Sequence, residues 1–101
     1  MANQTLSSLD LAKEMIALDA TALTEVDIAQ LQRLIMDYSA VTLCGSVQPW
    51  GRKMRVWAQE QKSNGPARLI GSGYLANAAT AALANGTAAH GYELDDTHEA
   101  S

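Results

Sequence analysis

One segment of the sequence is dominated by alanine, and it restricts the fold of the whole chain. Between Ala76 and Ala89, eight of fourteen residues are Ala. Alanine has the highest intrinsic helix propensity, so this segment is predicted to form a helix. A helix whose side chains are mostly methyl groups buries little apolar area and cannot hold itself to a partner by area alone. We therefore expect it to pack inside a larger helical domain.

The composition of the chain restricts its size, its partners and its location. The 101 residues are enough for one domain, and we predict a single helical region over residues 1–101. The net charge of −4 argues against binding to nucleic acid, which requires a basic surface. No stretch approaches the ~18 apolar residues of a membrane span, and residues 1–8 lack the apolar core of a secretory signal. We expect a cytoplasmic protein that binds no membrane.

The spacing of apolar residues, together with residues typical of helix N-termini, predicts three helices before the Ala-rich segment. The first covers residues 9–18, where apolar residues recur at helical spacing. The second runs from Thr24 to Cys44 and begins with a capping box, in which Asp27 lies three residues after the first residue. Gly45 is predicted to cap its C-terminus. The third begins at Pro49, since proline favours the first turn of a helix.

These elements predict an all-α fold with at most one short strand, and residues 67–70 form either that strand or an extended connector. Trp50 and Trp57 are predicted to anchor the core from the third helix. Cys44 is the single cysteine, which excludes an intramolecular disulfide and fits a reducing compartment. Because it ends an apolar helical pattern, we predict that Cys44 is buried as a small apolar side chain.

Titratable residues are concentrated after the Ala-rich segment. Both histidines, His90 and His98, and four of the eleven acids lie within ten residues. If the helix continues past Gly91, then His90 and Glu93 lie one turn apart, and Glu93 and Thr97 share a face. A buried cluster of this kind shifts pKa values, as catalytic groups require.

Three interpretations of this cluster remain open from the residues alone. It is a solvated acidic loop at a helix end, or a metal site whose ligands include His90, Glu93 and His98. In the third interpretation it transfers protons, with a carboxylate or histidine as general base and Thr97 as a hydrogen-bond partner of a polar substrate.

The motif that contains these residues resembles the signature of the MmgE/PrpD family, which includes 2-methylcitrate dehydratase, cis-aconitate decarboxylase and iminodisuccinate epimerase. The resemblance extends upstream over most of the chain. It rests on the helix from Thr24, on Gly65-Pro-Ala-Arg-Leu-Ile-Gly71, on the Ala-rich helix ending in Asn85-Gly86, on His90, and on Glu93-Leu-Asp95-Asp96-Thr97-His98.

This resemblance implies the N-terminal segment of a large all-helical domain, which in the family is joined to a smaller α/β lid domain that is absent here. Members act on small polycarboxylates without a metal or redox cofactor, usually as homodimers. They add or remove a proton next to a carboxylate, which leads to dehydration, decarboxylation or epimerisation. The implied partners are a small polycarboxylate and either a second copy or the remainder of the enzyme.

The resemblance also implies roles for individual residues. In the family pattern, an acid four residues before a threonine lines the substrate pocket, so Glu93 and Thr97 are predicted to contact the substrate or handle its proton. The predicted supporting residues are Asn85, His90, Asp95, Asp96 and His98. Asn85 and Gly86 together are expected to form a tight helix-to-helix contact that aims them.

In the family, an active-site His in a His-Pro-Gly stretch and a catalytic Lys follow the matched segment. Both would lie beyond Ser101, so we expect no turnover from residues 1–101 alone. Two alternatives from other classes stay open. One is a non-catalytic helical binding fragment that needs a complementing chain, and the other is a metal-binding helical protein.

Overall fold

The computed structural model describes residues 5–94, and this part of the chain is mostly helical. The elements are α1 (Ser8–Ala17), a short 3-10 helix (Ala20–Ala22), α2 (Glu25–Ser46), α3 (Pro49–Glu60), β1 (Ala67–Arg68), β2 (Leu75–Ala76) and α4 (Ala78–His90). The predicted all-α class is confirmed. No helix among these is long and apolar enough to cross a membrane.

The predicted short strand is present as β1, and a second strand, β2, accompanies it. The two strands pair antiparallel, with Ala67 opposite Ala76 and Arg68 opposite Leu75. Beyond this register, the amide of Leu69 donates to the carbonyl of Tyr74 at 3.0 Å. Each strand has only two residues, which explains why their sequence carries no alternating pattern.

The chain divides into two compact units, residues 1–31 and 32–101. In the first unit, α1 begins with a capping box. The Ser7 Oγ accepts a hydrogen bond from the amide of Asp10 at 3.2 Å, and the Asp10 carboxylate accepts one from the amide of Ser7 at 3.2 Å. None of the α1 residues is buried, so its start is set by local hydrogen bonds.

The start of α2 is also as predicted. The Asp27 carboxylate accepts a hydrogen bond from the amide of Thr24 at 2.8 Å, and the Thr24 Oγ1 accepts one from the amide of Asp27 at 3.2 Å. These bonds satisfy amide groups that a helix start leaves without intrahelical partners. The capping-box prediction is therefore confirmed.

The end of α2 differs from the prediction in two ways, which both belong to the second unit. Gly45 is not a cap, because the helix continues to Ser46. A Cβ at Gly45 would overlap the backbone carbonyl of Ala88, so this glycine lets α2 and α4 approach closely. The prediction that Cys44 is buried is wrong, since its side chain is exposed. The packed face of this turn carries Thr42, Gly45 and Ser46, and Cys44 lies on another side of the helix.

The core of the second unit is thin and made mainly of alanine, as the composition indicates. Trp57 packs against it and is partly buried, in agreement with its predicted role. Thr42 is the largest side chain that is fully buried in the described part of the chain. The core cluster consists of Ala58, Leu69, Ala76, Ala81 and Ala84, from α3, the hairpin and α4.

Candidate functional site

The predicted site residues lie in α4 and directly after it. The Asn77 Oδ1 caps α4 by accepting a hydrogen bond from the amide of Thr80 at 2.8 Å. The Oγ of Ser63 accepts a bond from the amide of Asn77 at 3.2 Å, which ties this start to the preceding turn. Ala81 and Ala84 then bury one face of α4, while His90 at its end is exposed.

Asn85 joins α4 to the hairpin through the hairpin's backbone. Its Oδ1 accepts a hydrogen bond from the amide of Ile70 at 2.9 Å, and its Nδ2 donates to the carbonyl of Arg68 at 3.0 Å. The predicted tight helix-to-helix contact at Asn85 and Gly86 is wrong for the described residues. A Cβ at Gly86 would meet no atom within 4 Å, and Asn85 contacts the hairpin strand and the residues after it.

Within the described residues the chain turns at the end of α4 and does not continue as a helix past Gly91. The condition for the helical spacing of His90 and Glu93 is therefore not met, and Thr97 lies outside the described residues. Residues 91–93 form a turn, in which the amide of Glu93 donates to the carbonyl of His90 at 2.8 Å. Glu93 has a φ of 54°, in the left-handed region that residues other than glycine rarely adopt. Its side chain is exposed.

Trp50, at the start of α3, lies against this turn. A Cβ at residue 91 would overlap the Nε1 and Cε2 atoms of the Trp50 indole, so the ring is seated directly on Gly91. The ring of Tyr92 meets the same indole edge-on, with centroids 5.0 Å apart and planes at 82°. Sequence reasoning missed this contact, although a glycine directly after a predicted helix is a known sign of its end.

An open groove of about 600 Å³ lies beside α4. Apart from His90, none of its described lining residues can carry a positive charge at neutral pH. This lining therefore does not by itself match a polycarboxylate, which requires several cationic groups or donors. The groove is lined by Trp50, Ala82, Leu83, Gly86, Thr87, His90 and Gly91.

The cationic side chains of α3 lie elsewhere. The Arg55 guanidinium donates to the carbonyl of Gly71 at 3.3 Å, next to the hairpin loop. Gly71 has a φ of 84°, and a Cβ there would overlap the Oγ of Ser46, so the loop and the end of α2 are in close contact. Arg55 thus helps to hold this loop.

Four of the predicted site residues, Asp95, Asp96, Thr97 and His98, lie outside the described residues. Over residues 5–94, no group of three or more His, Cys, Asp or Glu side chains is placed to hold a metal ion. The structure therefore brings Glu93 and His90 to one turn, and places Asn85 about one and a half helical turns before His90.

Comparison with known proteins gives one match. A family model described as the MmgE/PrpD N-terminal domain matches residues 9–101. A search of curated proteins and a search of solved structures found no match to the chain. The family model covers nearly the whole sequence, including the capped α2, the Ala-rich α4 and the acidic motif after it. The chain therefore belongs to the MmgE/PrpD family.

Proposed function

We propose that this chain is the N-terminal part of a lyase or isomerase that acts on small polycarboxylates without a metal or redox cofactor. The observation that carries the proposal is the family match, which extends through the segment containing Glu93 and Thr97. In this proposal the two residues contact the substrate or handle its proton, and His90 and Asn85 support them. The remaining active groups come from later parts of the enzyme.

The turn after α4 supports a functional role for Glu93. A non-glycine residue in the left-handed region costs roughly 1–2 kcal/mol, and such residues are concentrated at active sites. At Glu93 the chain keeps a carboxylate where glycine would relieve this cost. Glu93 has an exposed side chain next to a structured helix end, so it is available to a ligand that approaches from outside the described residues.

For dehydration and epimerisation, the proposed chemistry begins with transfer of a proton from the carbon next to a substrate carboxylate to a basic group of the enzyme. In a dehydration, the electron pair of that C–H bond forms a C=C bond as hydroxide leaves the adjacent carbon and takes up a proton. In an epimerisation, a proton returns to the same carbon on its opposite face. In a decarboxylation, the C–C bond to a carboxylate breaks, CO2 leaves, and the electron pair of that bond takes up a proton from an acidic group. A carboxylate at residue 93 serves as the base or orients the substrate.

The proposal is tested on the protein encoded by the complete reading frame that contains this sequence. Candidate di- and tricarboxylates are incubated in D2O, and deuterium at the carbon next to the carboxylate is measured by mass spectrometry and NMR. New C=C bonds are followed by ultraviolet absorbance, and released CO2 is measured separately. We expect at least one substrate to exchange or react, while no reaction on any of them contradicts the proposal.

A matched pair of variants then assigns the role of Glu93. Glu93→Gln is expected to lower kcat/KM by at least about 100-fold, the scale of losing a general base. Glu60→Gln, at the exposed end of α3, removes the same charge and is expected to have no effect. If the two variants are equally active, Glu93 does not handle the proton.

A second candidate function, a helical binding fragment that needs a complementing chain, is favoured by the exposed apolar side chains. Ile16 is 86% exposed, Val26 79% and Met36 69%. Surfaces of this kind mark sites that another protein surface covers. On this alternative, residues 1–101 alone self-associate and bind a dye specific for apolar surface. A monomer that binds no dye would argue against it.

A further inference from the structure

Two consecutive residues after α4 contact a single side chain from another helix. Gly91 lies beneath the indole of Trp50, close enough that no Cβ fits between them. Tyr92 then meets the same ring edge-on at 5.0 Å, in the geometry that aromatic pairs prefer. The next residue is Glu93, which has the left-handed backbone. Trp50 thus holds the two residues that separate the last helical residue from Glu93.

Filling the core does not explain the position of Trp50. Trp57, Met54, Ala67 and Tyr74 are the partly buried apolar side chains that pack against the core cluster, and Trp50 is not among them. Within residues 5–94, the Nε1 of Trp50 is buried and donates no hydrogen bond, so no polar partner holds the ring either. Among the contacts described, those with Gly91 and Tyr92 are the ones that place the indole at the end of α4.

We propose that Trp50 is a positioning residue, whose indole clamps Gly91 and Tyr92 and thereby sets the backbone of Glu93. The inference rests on the proposed function, in which the Glu93 carboxylate contacts the substrate. The clamp covers Gly91, the C-cap residue of α4, which has helical backbone angles with a φ of −57° and a ψ of −27°. After it, the chain turns through the bond from the Glu93 amide to the His90 carbonyl. A carboxylate on this turn points differently from one on a continued helix.

The first measurement concerns the backbone alone. In the isotopically labelled protein encoded by the complete reading frame, NMR coupling constants report the φ angle of Glu93. We expect the left-handed value in the wild type, its loss in Trp50→Ala and Gly91→Ala, and its retention in Trp50→Phe, which keeps a ring on Gly91. Val56→Ala truncates an exposed apolar side chain of the same helix and is the control. An unchanged Glu93 φ in both Trp50→Ala and Gly91→Ala overturns the proposal.

The second measurement connects the clamp to ligand binding. The Kd of citrate, the probe, is measured by calorimetric titration of the protein encoded by the complete reading frame. We expect Glu93→Gln and Trp50→Ala each to change the Kd at least tenfold and in the same direction, and Trp50→Phe to keep the Kd within about threefold of the wild type. The double variant is expected to have the Kd of Glu93→Gln, because Trp50 acts through Glu93. If the two effects on the Kd are additive, Trp50 acts on the ligand in another way and the proposal is wrong.

The two measurements separate failure of this inference from failure of the proposed function. If Glu93→Gln leaves citrate binding unchanged while Trp50→Ala still alters the φ of Glu93, the proposed role of Glu93 fails and the clamp stands. If Glu93→Gln changes the Kd while the clamp variants leave both the Glu93 φ and the Kd unchanged, the proposed role stands and the clamp is overturned. Gly91→Ala keeps the test decisive if Trp50→Ala does not fold, since it leaves the indole in the chain.

Discussion

Small residues in this protein have different roles according to what lies opposite them. At Gly45 the backbone of Ala88 occupies the space of a side chain, and at Gly91 the indole of Trp50 does. At Gly86 the corresponding space is open. A glycine without a contact only adds conformational entropy to the unfolded chain, whereas one in a close approach determines whether two elements can pack. The cost of substitution therefore depends on position.

A pair of glycine substitutions tests this difference. Gly45→Ala is expected to lower the free energy of unfolding by about 2 kcal/mol or more, because overpacking here displaces a backbone group that cannot rotate away. Gly86→Ala, inside α4, is expected to raise it by about 0.5–1 kcal/mol through helix propensity. Urea unfolding followed by circular dichroism measures both. Equal effects of the two substitutions would show that α2 and α4 do not approach at Gly45.

At the scale of elements, α4 and the hairpin are joined by side-chain to backbone bonds as well as by buried apolar contacts. The Asn77 side chain caps the helix, and Asn85 makes two bonds to the backbone at Arg68 and Ile70. Methyl groups supply little apolar area, so directional bonds contribute a larger share of the specificity here. The polar residues inside the Ala-rich segment are thus structural as well as candidates for function.

Asn85→Ala is expected to lower the free energy of unfolding by about 1–3 kcal/mol, because it removes both bonds and leaves the partly buried amide of Ile70 without a partner. Asn85→Asp keeps the acceptor for the Ile70 amide and is expected to lose less. Urea unfolding measures the loss of unfolding free energy in each variant, and hydrogen exchange at the Ile70 amide reports its bond to residue 85. Wild-type exchange at Ile70 in the Ala variant would contradict this account.

The stability contributed by the hydrogen bonds at the helix N-termini depends on pH. The backbone amide of Thr24, and then its hydroxyl, hold the pKa of Asp27 below its ordinary value of 3.8. A carboxyl whose pKa is lower when folded contributes stability that is present above the unfolded value and is lost as pH falls through the folded value. We expect acidification below pH 3.8 to remove the contribution of the capping box to α2.

The measurement is an acid titration of helix content by circular dichroism. The wild type is expected to lose more helix below this pH than Asp27→Asn, which cannot make the charged bond at any pH. Asp10 behaves in the same way in α1, since the side chain and then the amide of Ser7 lower its pKa. If wild type and Asp27→Asn lose helix content in parallel on acidification, the capping box is not the source of the pH dependence.

At the scale of the whole molecule, the buried side chains are small and many large apolar side chains are exposed. Within residues 5–94, the buried apolar residues are alanines apart from Leu69, while Ile16, Val26 and Met36 are among the most exposed of the large ones. We propose that further protein surface covers these side chains, as expected from the Ala-rich segment. Exposed apolar area of this extent promotes association.

Ile16→Gln is therefore expected to leave the free energy of unfolding within about 0.5 kcal/mol of the wild type, the usual range for surface changes. It should also reduce binding of a dye specific for apolar surface and self-association in analytical ultracentrifugation. Leu69→Gln is the contrasting variant, since Leu69 is 3% exposed, and it is expected to destabilise strongly. A large loss of stability in Ile16→Gln would indicate that this side chain packs within the chain.

The sequence by itself determined the features that depend on neighbouring residues. These are the capping box at Thr24, the start of α3 at Pro49, the helix in the Ala-rich segment and the thin core. Each follows from hydrogen bonds or propensities within a few residues, which the sequence displays directly. The resemblance to the family, carried by the motif around Glu93, was also present in the sequence and is confirmed by the family match.

The tertiary structure decided the features that depend on residues far apart in the chain. Gly45 is a contact with Ala88 and not a helix cap, and α4 stops where Trp50 meets Gly91. Asn85 bonds to a strand fifteen or more residues away and not to a helix. Local patterns cannot reveal these because the space open to a residue depends on which elements pack beside it. For the same reason, the four-residue spacing between Glu93 and Thr97 did not predict the left-handed backbone of Glu93.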